Sequence, residues 1–216
     1  MFDLTLTFDN GPDASVTPAV LDVLARRNVR STFFVVGEKL TDPALRSVAA
    51  RAREEGHWIG NHTFSHCVPL GRQSGDVAEQ EIGRTEALIG ALAHPDKLFR
   101  PYGGGGALDR GLLKRSVVTY LAERRYTCVL WNLVPGDWKE VDGWVDVAIA
   151  GCRAQPWSLV VLHDLPTGAM AHLDRFMAHV SDLGGRFRQD FPPECVPIVR
   201  GELVLPIEPY VSDAED

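Results

Sequence analysis

No stretch of the 216-residue chain stays apolar for the ~20 residues that a membrane-crossing helix needs. Basic charge is short as well: 22 Lys and Arg face 29 Asp and Glu, a net charge of −7. A nucleic-acid-binding surface wants the opposite balance, so no nucleic-acid partner is expected. Cysteine is scarce and scattered. Cys67, Cys128, Cys152 and Cys195 form no metal-like pair and read as free thiols. Cys67 directly follows a histidine cluster but reads as its passive neighbour. The N-terminus lacks the basic segment, apolar core and small-residue cleavage site of a secretory leader. Met1 runs straight into a strand pattern, so the expectation is a cytoplasmic protein with no membrane partner. Internal repeats and linkers are missing too. That leaves a single domain over residues 1–216, with 45% hydrophobic residues to build its core. Nothing in the pattern bears on oligomeric state.

What is there is organised around Leu4-Thr5-Leu6-Thr7-Phe8-Asp9-Asn10-Gly11-Pro12. Its first half alternates apolar and β-branched residues, as a buried strand does. Its second half is turn chemistry, which alone would signify only a turn. The strand delivers Asp9 and Asn10 to its C-terminal end, an acid to move a proton beside an amide to hold a metal or substrate.

Further along, helices are expected at Thr17 to Asn28, Asp42 to Gly56, Ser74 to Ala93, Asp109 to Arg125, Asp142 to Ala154 and Ala171 to Phe187. Thr17 and Asp42 are the expected caps of the first two, each followed by a proline at the first helical position. Strands are expected at Arg30 to Val36, His57 to Gly60, Leu98-Phe99, Thr127 to Leu133, Ser158 to Leu162 and near Val196 to Val199. The glycine run Gly103 to Gly106 reads as a loop that can approach a ligand, and the acidic end Ser212 to Asp216 as frayed. Alternating strands and helices predict a parallel sheet. It is either an open doubly wound sheet or a barrel, and the chain is too short for a complete eight-unit barrel.

The chemistry gathers at strand ends: Asp9 and Asn10 after the first, His62 and His66 after the third, Arg100 after the fourth, Asp137 after the fifth, His163 at the sixth. Parallel strands end on one face, and a packed core gives no reason to finish each of them with an ionisable group. His62 and His66, four residues apart, would share one side of a helical turn and suit one divalent ion. Asn10 adds an oxygen. Asp137 is placed to hydrogen-bond His163 and favour its charged form. Arg100 is placed to pin Asp9. Trp138, in a loop, suits the apolar face of a sugar ring.

The ordered set TFDNGP, HTFSH, RPYG, GDW and LHD, spanning Thr7 to Asp164, resembles the five motifs of the polysaccharide deacetylase family, the NodB-homology carbohydrate esterases. The resemblance implies an α/β fold, a distorted, incomplete (β/α) barrel of about seven strands. It implies metal-dependent hydrolysis of the N-acetyl group of an amino sugar, in an oligomer or polymer of chitooligosaccharide or peptidoglycan type. The implied cofactor is a divalent metal, zinc first, on Asn10, His62 and His66. Asp9 becomes the general base, His163 the general acid, Arg100 the residue that orients the base and Asp137 the one that tunes the acid. Tyr102 or Gly103 supplies a backbone N–H to the oxyanion, Trp138 lines the groove, and Leu162 lines the pocket for the acetyl methyl. Two positions depart from the usual pattern. Asn10 replaces a metal-binding aspartate, as in a branch acting on muramic residues, and Tyr102 replaces a proline. Two other readings compete: an allantoinase-like hydrolase of a small amide or cyclic ureide, able to work without a metal, and a non-catalytic sugar-binding module.

Overall fold

The computed structural model describes residues 1–212. The alternation at the start of the chain does form a strand, β1 (Phe2–Asp9). Leu4, Leu6 and Phe8 face a core shared with Val20, Leu21 and Leu24, so Thr5, Thr7 and Asp9 face the opposite side. The chain then runs α1 (Val16–Arg26), β2 (Thr32–Val35), α2 (Pro43–Glu54), β3 (Trp58–Asn61), α3 (Arg84–Ile89), β4 (Leu98–Phe99), α4 (Arg115–Glu123), β5 (Thr127–Cys128), α5 (Trp144–Ala154), β6 (Trp157–His163), α6 (Leu173–Asp182), β7 (Gly185–Arg188), β8 (Ile198–Val199) and β9 (Glu202–Leu203).

Across the sheet the order is β6-β1-β2-β3-β4-β5-β8-β9. β7 pairs with the first half of β1 and β2 with its second half. Pairings from β1 to β7 are parallel, whereas β8 and β9 add antiparallel strands beyond β5. One parallel bridge, Leu133 to Val160, draws the curled sheet toward closure. The architecture is the expected distorted, incomplete barrel, and its sheet has nine strands among the described residues. Helix-side and interior cores alternate along β2 and β6. Phe33 and Val35 of β2 pack with β1's Leu6 and Phe8, and Phe34 packs with Phe99 and Trp131 on the inner side.

Several expected boundaries shift, each for a physical reason. Thr17 is not the cap of α1. Asp13 Oδ1 accepts from the backbone N–H of Ser15 and of Val16, both at 2.8 Å, while the Thr17 hydroxyl turns inward to Asp164. Asp42 does cap α2, accepting from Ala44 N–H at 2.8 Å. The stretch expected as one helix from Ser74 to Ala93 begins as a π-helical turn, Ala78–Gly83, before α3. The helix expected from Asp109 starts only at Arg115. Of the strand expected over Thr127 to Leu133, only Thr127–Cys128 pairs with β4; Leu133 turns to β6 instead. The helix expected to run to Phe187 stops at Asp182, because Gly184 (φ +74°) reverses the chain. The following residues then pair as β7 with the free edge of β1. Of the acidic end, Ser212 donates its N–H to the Leu113 carbonyl at 2.9 Å, and residues 213–216 lie outside the described residues.

Candidate active site

β1 ends at Asp9, whose register partner on β6 is His163 and on β2 is Phe34. Asp9 is 3% exposed. Arg100, just past β4, is fully buried and crosses the interior to reach it, donating from Nη1 to Asp9 Oδ1 at 2.8 Å. The same nitrogen donates to Thr7 Oγ1 at 2.7 Å. Nε and Nη2 donate to the carbonyls of Val129 and Leu130, each at 3.2 Å. The guanidinium also lies 4.1 Å from the centre of the Phe34 ring. Burial pulls the arginine's pKa below its ordinary value, and the charge and hydrogen bond of Asp9 oppose that. A buried guanidinium is tolerable when its donors are satisfied this fully, and the fork then fixes the carboxylate's orientation.

The second carboxylate oxygen, Asp9 Oδ2, lies 3.5 Å from His62 Nε2. The other ring nitrogen, Nδ1, donates to the Arg100 carbonyl at 2.8 Å, which leaves Nε2 with a free lone pair. Burial drives the His62 pKa down to about 3, so no proton bridges Nε2 and the carboxylate at neutral pH. His66 is likewise held neutral, at about 3, first by burial and then by His62. Its ring lies 4.7 Å from the His62 ring and 4.0 Å from the Tyr102 ring, centre to centre. Next to them Asn10 Oδ1 is buried with no hydrogen-bond partner. Asn10 sits at φ +74°, a left-handed conformation that asparagine adopts more readily than most residues.

The free lone pair of His62 Nε2 and the unpartnered Asn10 Oδ1 thus lie in one corner beside the neutral His66 ring, an arrangement a cation would satisfy. Two neutral imidazoles and an amide oxygen suit a borderline divalent ion such as zinc. Among the described residues no group of three His, Cys, Asp or Glu has metal-holding spacing; beside the two histidines the remaining candidate donor is the asparagine oxygen. His62 and His66 do not share a helical turn as their spacing suggests. The segment between them is a tight loop with Thr63 at φ +67° and His66 at φ +50°.

On the other side stands His163. Its Nδ1–H donates to Asp137 Oδ1 at 2.9 Å, and its backbone N–H donates to Asp137 Oδ2 at 2.9 Å. Burial works against the imidazolium, but the hydrogen bond and charge of Asp137, with Asp9 and Asp164 behind it, raise the pKa above the usual value. Trp138 meets the imidazole edge-on at 4.7 Å.

Asp9, Asn10, His62, His66, Tyr102, Gly103, Trp138 and His163 line one cavity of about 210 Å³. Arg100 and Asp137 support it from behind. Gly103 has a steric reason: a Cβ there would come within 2.6 Å of the Trp131 ring. Leu162 is not in the cavity. It is fully buried in the helix-side core, and the inward residue of β6 beside His163 is Val161, which with Leu165, Val134 and Trp131 forms the apolar wall. Counting back two residues from His163, the strand period, would have pointed to Val161. Two further contributors were missed: Thr7, an inward residue legible by the same alternation, and Glu81, which binds the loop between the histidines and leaves no mark in the polar pattern of its helix.

A sequence profile described as polysaccharide deacetylase matches residues 3–120. A peptidoglycan-N-acetylglucosamine deacetylase of Bacillus cereus is 30% identical over 190 residues, covering 86% of this chain and 66% of that one. A chitooligosaccharide deacetylase of Rhizobium leguminosarum bv. trifolii is 36% identical, covering 75% of this chain and 71% of that one. The chain spans only 37–66% of the length of the first curated relatives it matches. Among solved structures, a peptidoglycan N-acetylglucosamine deacetylase in complex with 4-naphthalen-1-yl-N-oxidanyl-benzamide superposes with a TM-score of 0.74 at 29% identity, covering 92% of this chain and 89% of that one.

Proposed function

The chain belongs to the polysaccharide deacetylase family, and from that premise we propose that it is a hydrolase releasing acetate from N-acetylated amino sugars of peptidoglycan or chitooligosaccharide type. The observation that carries the reading is the pairing of Asp9 and His163. They are register neighbours on β1 and β6 that face one cavity, one oriented by Arg100 and the other held by Asp137. A sugar-binding groove has no use for such an acid and base.

A divalent ion, zinc first, held by Asn10 Oδ1, His62 Nε2 and His66 would supply Lewis-acid polarisation of the acetyl carbonyl and of water. Asp9, its Oδ1 pinned by Arg100, takes the proton of the attacking water. The backbone N–H at Tyr102 or Gly103 holds the oxygen that turns negative. His163 enters protonated and hands its Nε2 proton to the departing amine. Trp138 offers an apolar face to the sugar ring, and Val161 with Leu165 leaves room for the acetyl methyl.

The test is acetate release from N-acetylated chitooligosaccharides and muropeptides, before and after chelation and after zinc is restored. Calorimetric titration of the apo protein with zinc accompanies it. Acetate release that stops with chelator and returns with zinc is expected. Asn10→Asp should bind zinc more tightly, because it adds a negative charge beside the ion where screening is weak. Turnover that survives a strong chelator, with no zinc binding, would replace this reading by the metal-free hydrolysis of a small amide or ureide.

A further inference from the structure

The loop that carries the two histidines is unusual in itself. Thr63 and His66 both hold left-handed backbone conformations, and such strain persists only where the surroundings over-determine it. The Thr63 carbonyl accepts from Gly37 N–H at 2.9 Å and the Phe64 carbonyl from Glu38 N–H at 3.0 Å. Thr63 N–H donates to Asn61 Oδ1 at 3.1 Å.

The amides immediately before His66 go to one side chain. Phe64 N–H and Ser65 N–H both donate to Glu81 Oε2 at 2.9 Å, and Ser65 Oγ donates to Glu81 Oε1 at 2.7 Å. Glu81 is 8% exposed and sits within the π-helical turn Ala78–Gly83. Turns of that kind recur at functional sites. The turn is itself fastened beside the loop, since Asn61 Nδ2 donates to the Ile82 carbonyl at 2.9 Å and Thr85 Oγ1 to the Glu81 carbonyl at 2.8 Å.

A buried carboxylate that spends three hydrogen bonds on two consecutive residues, one step before a candidate ligand, has a geometric task. We propose that Glu81 is a positioning residue: it fixes the loop so that His66 faces Asn10 and His62, and so sets the affinity of the site for its ion. The proposal rests on the metal reading given above. Groups that orient metal ligands from behind are typically worth about 10–100-fold in affinity.

Zinc binding to the apo protein is measured by calorimetry for the wild type, Glu81→Ala, Glu81→Gln, His66→Ala and the double variant Glu81→Ala/His66→Ala. Glu81→Ala should weaken zinc binding by about 10–100-fold. Glu81→Gln should restore most of it, because its amide oxygen can accept both backbone N–H groups while its NH₂ donates to Ser65 Oγ. Adding Glu81→Ala to His66→Ala should cost nothing more, since the ligand it positions is gone. If Glu81→Ala does not fold, Glu81→Asp, whose shorter arm withdraws the oxygens, takes its place with the same expected order. Tight zinc binding by wild type and Glu81→Ala alike overturns the proposal and leaves the metal reading standing. A further loss in the double variant also overturns it, because general loosening would act with or without His66. Failure of the wild type itself to bind zinc overturns the metal reading and this proposal together.

Discussion

Asp137 holds His163 twice, through the ring Nδ1–H and through the backbone N–H, both at 2.9 Å. One carboxylate therefore sets the tilt of the ring, its tautomer and its charge, and aims Nε2 into the cavity. The raised pKa keeps His163 protonated further into the neutral range than a free imidazole. Asp137→Asn keeps an acceptor in place but removes the charge. The alkaline limb of the pH profile of kcat/KM, which reports the free enzyme, should then move to lower pH, as kcat/KM measured across the range will show. The linkage has the same sign: the stabilisation from protonated His163 is complete below about pH 6.5, fades as pH rises through the raised value, and is lost in Asp137→Asn. An alkaline limb that stays put in the variant would separate Asp137 from the acid.

Removing either proposed proton carrier should nearly abolish turnover without unfolding the chain. For Asp9→Asn and for His163→Ala the expected loss in kcat is ~10²–10⁴-fold, the usual worth of a general base or acid. Far-ultraviolet circular dichroism should be unchanged. A folded variant that keeps most of its activity would take that residue out of the reaction.

Val161 and Leu162 are chain neighbours on opposite faces of β6, and their truncations should have opposite signatures. Leu162→Ala opens a hole in the helix-side core and should cost roughly 2–5 kcal/mol of stability, with KM unchanged. Val161→Ala enlarges the cavity wall. It should raise the relative kcat/KM for N-propionyl over N-acetyl substrate by ~10-fold or more, the discrimination that one methylene commands. Denaturant melts and paired substrate assays distinguish the two, and a KM effect from Leu162→Ala would return that residue to the pocket.

Asp164, just beyond His163, is fully buried; Thr17 serves Oδ2, while Oδ1 has no partner. Burial pushes its pKa up to about 6 from 3.8. Between those values the folded chain binds more protons than the unfolded one, so stability falls as pH rises through that window. Asp164→Asn cannot ionise. It should be more stable than wild type by about 3 kcal/mol at pH 8 and about equal to it at pH 4, since each tenfold change in an acid's ionisation constant is worth ~1.4 kcal/mol. Urea titrations at the two pH values check this, and equal stability at pH 8 would mean the carboxylate is accommodated at no cost.

How legible all of this was depended on whether a residue's neighbours lay in its own segment. The strand that carries Asp9 could be read from its alternation, and the convergence of Asn10, His62, Arg100, Asp137 and His163 follows from the parallel order of strand ends. The loop around His66 could not be read, because its conformation is imposed by Glu38 and Glu81 from other segments. β7 was hidden for a similar reason. Its residues have helix-compatible spacing, and only the vacant edge of β1 makes them a strand. The misplacement of Leu162 was of another kind: the strand period alone settles which of two neighbours faces in.

β1, near the start of the chain, finds two of its three sheet partners in β6 and β7, more than 150 residues later. During synthesis, therefore, Asp9 emerges long before the strand that carries its partner His163. Contacts so distant in sequence are slow to form. Asp9 and His163 come together as a pair only once the chain has been made at least as far as β6, so on the proposed mechanism a nascent chain carries half of the proton-transfer pair. Onset of activity would then report completion of the sheet, more directly than any measure of helix content.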